Sequence, residues 1–442
     1  MNNTLIDPQI VNEKIKDSGI RNLGTVSIRQ LVRLVSNIEE ATGEKFIRME
    51  MGIPGLDPAP IGVNAEIEAL KAGVASKYPP IEGVPALKKE VSRFLKLFMN
   101  IEVSPEGCVP VVGSMMGGMA AFLMANRVDK EKNTTLFIDP GFPVQKQQLQ
   151  VLDFPYETFD IYDYRGERLR EKLLEHVNRK SISCFIYSNP NNPSWICFTE
   201  EELAIIGDVA NQHDIIVIED LAYFGMDFRH DYSQPGKPPF QPTVANYTDN
   251  YMLLLSSSKA FSYAGERIGV LIMSDNLFNR KYSNLLHFYP SDMFGHAAIY
   301  GGIYALCAGT SHAAQYALKA MLSSANDGIY NFLNEVKRYG KRAEIMKKIF
   351  VENGFEIVYD KDGGEPIADG FYFTISYPGI TGEELLKELL YYGISAISLI
   401  ITGSERTEGL RACVSLVHEN QIPVLEKRIN QFHKNHYHSS NA

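Results

Sequence analysis

Three runs of residues carry the types and spacing that chemistry on a small charged ring would need. The first is Ser256-Ser257-Ser258-Lys259, followed by Gly265-Glu266-Arg267-Ile268-Gly269. A lysine at the end of a buried strand is a nucleophile for an aldehyde, because burial disfavours the ammonium form. The planar fork of Arg267 suits a phosphate dianion, and the hydroxyls of Ser256 and Ser258 add donors to the same group. The second run is Glu219-Asp220-Leu221-Ala222-Tyr223. Asp220 sits at a strand's carboxyl end, where its carboxylate can pair with a protonated ring nitrogen. Tyr223 can then bond a phenolate oxygen. The third is Asn189-Pro190-Asn191-Asn192-Pro193-Ser194, whose Asn-Pro pairs impose a rigid turn and aim the Asn192 amide at the strand ends. Taken singly, each run has a plainer account: a loop with scattered charge, a capping aspartate, a surface turn.

Two weaker signals lie upstream. Gly113-Ser114-Met115-Met116-Gly117-Gly118 leads into the apolar stretch Met119–Ala125. Small residues at a helix start let free backbone N–H groups approach an anion, although close helix packing asks for the same residues. Asp139-Pro140-Gly141-Phe142-Pro143 holds an aromatic between two prolines, ready to lie on a ligand ring or to fill a core.

The elements that must position these runs alternate. Apolar runs at Thr135–Asp139, Ser183–Tyr187, Ile215–Glu219, Tyr251–Leu255 and Ile268–Met273 read as buried strands, with helices such as Glu200–Gln212 between them. That alternation predicts an α/β domain with a mostly parallel sheet, which binds ligands at the carboxyl ends of its strands. Residues 1–45 read as an arm plus a helix, with Gly52 to Pro60 as a loop. Phe294–Ser324 reads as mostly helical and Asp327–Asn353 as one long helix. The strands Phe371–Ser376 and Arg411–Leu416, with a helix at Gly382–Tyr392, suggest a smaller α+β domain. Arg229–Pro242, rich in Pro and Gly, reads as a surface loop.

Bulk properties exclude some functions. The 442 residues are 45% hydrophobic and 22% charged, with a net charge of −10, which suits a soluble globular chain and argues against broad nucleic-acid binding. No stretch reaches the length of a membrane span, and Met1–Asp7 shows no leader-like pattern, so the cytoplasm is the expected location. Five scattered cysteines read as reduced thiols. The histidines of the last ten residues read as part of a frayed polar end, and no metal site is expected.

In their order and spacing, the five runs resemble the class I/II aminotransferases, the aspartate aminotransferase superfamily of fold type I. The resemblance rests on Asn-Pro-x-x-Pro, Asp-x-Ala-Tyr and Ser-x-Ser-Lys followed by Gly-x-Arg-x-Gly, and spans about Gly52 to Arg411. It implies a large domain with a mostly parallel seven-stranded-type sheet flanked by helices, plus a smaller α+β domain. The expected division is 1–59 as arm and part of the small domain, 60–325 as the large domain, and 326–442 as the C-terminal small domain. It also implies pyridoxal 5'-phosphate as cofactor, carried by Lys259 as an aldimine. Asp220 would face the pyridinium nitrogen, Tyr223 and Asn192 the phenolic oxygen, and Phe142 the ring. Ser114, Met115, Ser256, Ser258 and Arg267 would hold the phosphate. Tyr78, in Tyr78-Pro79-Pro80, resembles the tyrosine that reaches the partner subunit's phosphate, which implies a homodimer. Arg411 resembles the arginine that binds the substrate carboxylate, with Asn192 beside it, and Gly52 and Ile53 the backbone segment that lies along the substrate.

The implied reaction moves an amino group between an L-amino acid and a 2-oxo acid. Carbon–sulfur β-lyases, cyclopropane-forming synthases and decarboxylases share the same lysine, aspartate and arginine, because the fate of the carbanion depends on pocket detail. A non-enzymatic regulator would need a DNA-binding head that the N-terminal residues are too few to form. The sequence departs from the family at Ser194-Trp195, where Thr-Gly is common, and at Met115-Met116, where polar residues are. At that departure Trp195 could narrow or shape the pocket mouth, and Trp195, Tyr263 and Tyr289 could favour an apolar or aromatic substrate side chain, although core packing explains them equally well.

Overall fold

The apolar runs at 216–218 and 251–255 have no polar face to turn to water, so they must belong to central strands covered on both sides. In the computed structural model, which describes residues 4–437, they form a seven-stranded sheet. Its spatial order is Cys108–Val111, Gly269–Met273, Tyr251–Ser256, Ile216–Leu221, Ile182–Ser188, Thr134–Asp139 and Tyr156–Asp160. The last five strands pair in parallel, and Gly269–Met273 runs antiparallel to both its neighbours. The register sets Ser188 opposite Asp220 and Ser256 opposite Gly269, so polar residues gather at one end of the strands. Helices start where the sequence supplies caps: Thr199 and Glu202 form a reciprocal capping box for Glu200–His213.

The described chain divides into two units. The larger comprises residues 56–191 and 197–336, and the smaller 1–55, 192–196 and 337–442 as far as they are described. The boundaries expected at 59/60 and 325/326 are thus displaced. The second moves because Phe332 belongs to an aromatic cluster of the larger unit, 5.6 Å from Phe94 and 5.2 Å from Phe261. For the same reason the long helix expected over 327–353 is shorter. Gly328 takes φ +70°, the chain turns, Phe332 and Leu333 are buried, and the helix runs only Lys337–Glu352. The helical stretch from Phe294 is interrupted at Ala308 and Gly309, both with positive φ, before His312–Asn326. The segment 229–242 is less superficial than its composition suggests: Tyr232, Ser233 and Gln241 are buried, and Gln241 accepts the Gly225 N–H at 3.0 Å.

The smaller unit has a four-stranded antiparallel sheet ordered Ile397–Ser398, Leu410–Cys413, Tyr372–Ser376, Glu356–Ile357. The N-terminal part contributes two helices rather than one, Pro8–Asp17 and Ile28–Thr42, the second closed by a Ser27–Gln30 capping box. Ile47–Arg48 pairs in parallel with Ile394–Ser395, and the Met49 carbonyl accepts the Cys413 N–H at 2.9 Å. That bond places Glu50 beside the strand that carries Arg411.

Candidate active site

Asp220 is the next-to-last residue of its strand and only 7% exposed. Its Oδ1 accepts the Ala222 N–H at 3.1 Å and its Oδ2 accepts Nε2 of Gln145 at 2.9 Å. Burial pushes its carboxyl up to about 6, while the Ala222 N–H, the Gln145 amide and the positive charge of Lys259 pull it back. Lys259 therefore acts electrostatically on a buried carboxylate at the strand ends. It lies in the turn just past Tyr251–Ser256 and is half-buried, less enclosed than a strand-end position implied. Two bonds close that turn: the Tyr263 N–H donates to the Ser257 carbonyl at 3.1 Å, and the Ser257 hydroxyl donates to the Ile268 carbonyl at 2.6 Å. Tyr223 follows Asp220 in a buried turn.

A second cluster surrounds the start of the helix Gly113–Ala125, which takes in the whole glycine run. Gly113 has φ +68°, and a Cβ there would lie 2.6 Å from a terminal nitrogen of Arg267. Glycine is thus required both by conformation and by the guanidinium above it. Gly269, paired with Ser256, leaves equally little room: a Cβ would stand 3.0 Å from the Ser114 nitrogen. The Ser256 hydroxyl accepts the Ser258 N–H at 3.1 Å. Arg267 is exposed and donates from one terminal nitrogen to the Ala264 carbonyl at 2.7 Å. Ser114, Ser256 and Arg267 thus meet around Gly113 and Gly269, with Ser258 bonded to Ser256, and the first N–H groups of a helix have no intrahelical partner. An anion with several oxygens fits this set.

Phe142 is half-buried at the cap of the helix Pro143–Leu152. The turn before it is tied to the Asn-Pro turn by the Asn191 side chain, which donates to the Pro140 carbonyl at 2.8 Å. Beneath, Asp139 is fully buried, pushed up to about 6 by desolvation, and paired with Lys146 at 2.5 Å.

In the smaller unit, Arg411 is 1% exposed. One terminal nitrogen donates to Asn192 Oδ1 at 3.3 Å and the other to the Glu50 carbonyl at 2.6 Å. The guanidinium lies over the Tyr372 ring, 4.6 Å from its centroid. Its Nε has no hydrogen-bond partner among the described residues. A buried, charged, incompletely satisfied guanidinium is costly unless an anion completes it. Gly52 belongs here too: a Cβ on it would run into the Tyr372 hydroxyl. Ile53 follows it and is 48% exposed.

Residues 44–429 match the family Aminotransferase class I and II. The chain belongs to that family. Amino-group transfer is the family's activity, and pyridoxal phosphate its general cofactor. Among curated proteins, the chain is 22% identical over 408 residues to a probable aspartate aminotransferase of Methanocaldococcus jannaschii, covering 91% of this chain and 96% of that one. It is 21% identical over 272 residues to an aspartate aminotransferase of Bacillus subtilis, covering 60% of this chain and 66% of that one. Among solved structures, an alanine aminotransferase from Pyrococcus furiosus superposes with TM-score 0.73 at 19% identity, over 92% of this chain and 96% of that one. The aspartate aminotransferase from Thermus thermophilus with maleate gives 0.72 at 16% identity, over 96% of this chain and 98% of that one. These likenesses bear on the fold, and the central sheet described above agrees with fold type I.

For this aminotransferase, several sequence expectations need correction. Trp195 does not sit at a pocket mouth. It is fully buried, edge-on to Tyr372 at 6.2 Å, and fills the space that the missing side chain of Gly370 leaves. Tyr289 is a core residue whose hydroxyl bonds Arg127 and the Leu123 carbonyl, and Tyr263 donates to Glu66 at 2.5 Å. Tyr78 is 95% exposed. His433 and His436 lie on the helix Ile422–Tyr437, while His438 lies outside the described residues. No described helix is long and apolar enough to cross a membrane. Sequence reasoning missed Gln145, Glu50 and Tyr372, which touch the expected site residues. The spacing of Phe142 and Gln145, one turn apart at a helix start, is the only signal that pointed at Gln145.

Proposed function

We propose that the chain transfers an amino group between an L-amino acid and a 2-oxo acid, with Lys259 as the amine that holds pyridoxal phosphate. When bound, that group supplies an aldehyde for an amine to condense with and a cationic ring that takes up the electron pair released at Cα. The observation that carries the reading is the buried Asp220 at the carboxyl end of one strand with Lys259 just past the end of its parallel neighbour, and the Gly113–Arg267 cluster beside that neighbour. Asp220 would hold the proton on the ring nitrogen. Tyr223 and Asn192 would donate to the phenolic oxygen, and Phe142 would lie against the ring. The helix start at Ser114 and Met115, with Ser256, Ser258 and Arg267, would bind the phosphate.

Arg411 would bind the substrate α-carboxylate with Asn192 beside it, and so set the angle of the Cα–H bond. Its unpartnered Nε supports an anionic ligand. Gly52 and Ile53 would lie along the substrate. The Lys259 amine, once released, would take the proton from Cα and return it to the adjoining carbon of the ring's substituent. A homodimer in which Tyr78 serves the partner's phosphate accounts for a tyrosine left 95% exposed, and the cytoplasm is its proposed location.

Incubation with single amino acids and 2-oxoglutarate tests the reaction type. Product keto acid should form in proportion to the acceptor and stop without it; release of ammonia or sulfide in its absence would assign a lyase. Asp220→Asn should keep the fold and some cofactor binding and lose most turnover.

A further inference from the structure

The helix Pro143–Leu152 sends three neighbouring side chains to two strand ends and the first turn of the helix Gly113–Ala125. Gln145 donates to Asp220 Oδ2 at 2.9 Å, Lys146 pairs with Asp139 at 2.5 Å, and Gln148 donates to the Met115 carbonyl at 2.8 Å. Pro143 opens the helix and the Gln145 N–H donates to the Phe142 carbonyl at 3.1 Å, so the first turn is fixed directly after Phe142. Gln145 is itself 7% exposed, as is the carboxylate it meets.

The carboxylates of Asp220 and Asp139, on strands separated by Ile182–Ser188, receive different treatment. Lys146 gives Asp139 a full counter-charge, which neutralises it. Gln145 gives Asp220 a neutral N–H. An amide donor favours the ionised carboxyl and pins one oxygen, yet leaves its negative charge uncompensated for whatever stands opposite. We infer that Gln145 is a positioning residue, whose amide fixes both the orientation and the ionised state of Asp220. The Ala222 N–H holds the other oxygen, Oδ1, and Gln145 is the side chain that pins Oδ2. Lys259 is the charged side chain that acts on Asp220, Lys146 is engaged by Asp139, and Glu219 turns to Thr243 and the Val244 N–H. The functional consequence rests on the proposed role of Asp220 toward a ring nitrogen; the contact itself does not.

The test is a carbon-13 carboxyl titration of the protein without cofactor, with the Asp220 signal assigned by its loss in Asp220→Asn. Gln145→Met keeps the side-chain length and removes the donor; Gln145→Leu does so with a branched chain. Both should move the Asp220 midpoint upward by about one to two pH units, the size expected for a lost hydrogen bond to a charged group. Gln147→Ala, on the exposed face of the same helix, should leave it in place. The acidic limb of kcat/KM should move up with the midpoint. An unchanged Asp220 midpoint in both Gln145 variants overturns the inference. Full turnover in Asp220→Asn would instead overturn the proposed role of Asp220, whatever the titration shows.

Discussion

Replacing Arg411 by lysine isolates what a planar, five-donor cation contributes that a point charge does not. The guanidinium uses one N–H on Asn192 and one on the Glu50 carbonyl, which leaves Nε–H and one N–H on each terminal nitrogen. A carboxylate can take two of these side by side. Each hydrogen bond between charged partners is worth roughly 1.5–3 kcal/mol, so losing the pair costs about 3–6 kcal/mol. At 1.36 kcal/mol per decade that is a fall of about 10²- to 10⁴-fold in kcat/KM. Lysine keeps the charge, but one compact ammonium cannot serve Asn192, the Glu50 carbonyl and both carboxylate oxygens at once, so the loss belongs at the lower part of that range. Because the α-carboxylate is common to all amino acids, the loss should be similar for small, apolar and acidic donors. Steady-state kinetics on a panel of amino acids, with circular dichroism to confirm the fold, reads it directly. A loss below tenfold, or one confined to a single amino acid, would refute the clamp.

Other predictions concern the supporting structure. Glu219 is fully buried, and desolvation lifts its carboxyl to about 7 against bonds from Thr243, the Val244 N–H and Asn189. The folded state therefore binds this proton more tightly than the unfolded one, and stability falls as pH rises through that window. Between pH 5 and 8 the loss from this group is on the order of 2.5 kcal/mol. Urea denaturation should show that slope in the native protein and a flatter one in Glu219→Gln; parallel slopes would place the Glu219 proton at an ordinary carboxyl value. Gly370→Ala would drive a methyl into the indole of Trp195 and should destabilise by about 1–3 kcal/mol, as overpacked cores do. Trp195 is the only tryptophan, so its emission should shift to the red at the same time; unchanged emission and melting would contradict the packing. Gly113→Ala, at φ +68° under the Arg267 guanidinium, should weaken phosphate binding measured by equilibrium dialysis with pyridoxal phosphate, and equal affinity would remove Gly113 from that cluster.

Local pattern revealed the large sheet because its strands are buried on both faces and so open on unbroken apolar runs, as at 216–218. It revealed the polar ends because Asp220, Asn189 and Ser256 each follow such a run. What it could not reveal depends on distant pairing. Phe332 lies in a stretch of helical character, yet its burial among Phe94, Phe224 and Phe261 outweighs helix propensity and unwinds the chain from Gly328. Trp195, following the second Asn-Pro pair, reads in sequence as a residue of the pocket mouth. Its burial needs Gly370, nearly two hundred positions away. Glu50 has no sequence mark until Arg411 is set beside it, and Gln145 has only its one-turn spacing from Phe142 until Asp220 is set beside it.

The central claim is that Lys259 forms the covalent link. Loading the protein with pyridoxal phosphate, reducing with borohydride, digesting and locating the phosphopyridoxyl group by peptide mass spectrometry tests it without reference to substrate. The label should sit on the peptide containing Lys259 and vanish, with the visible absorbance, in Lys259→Ala. A label on another lysine, or a Lys259→Ala protein that remains yellow, would contradict the account.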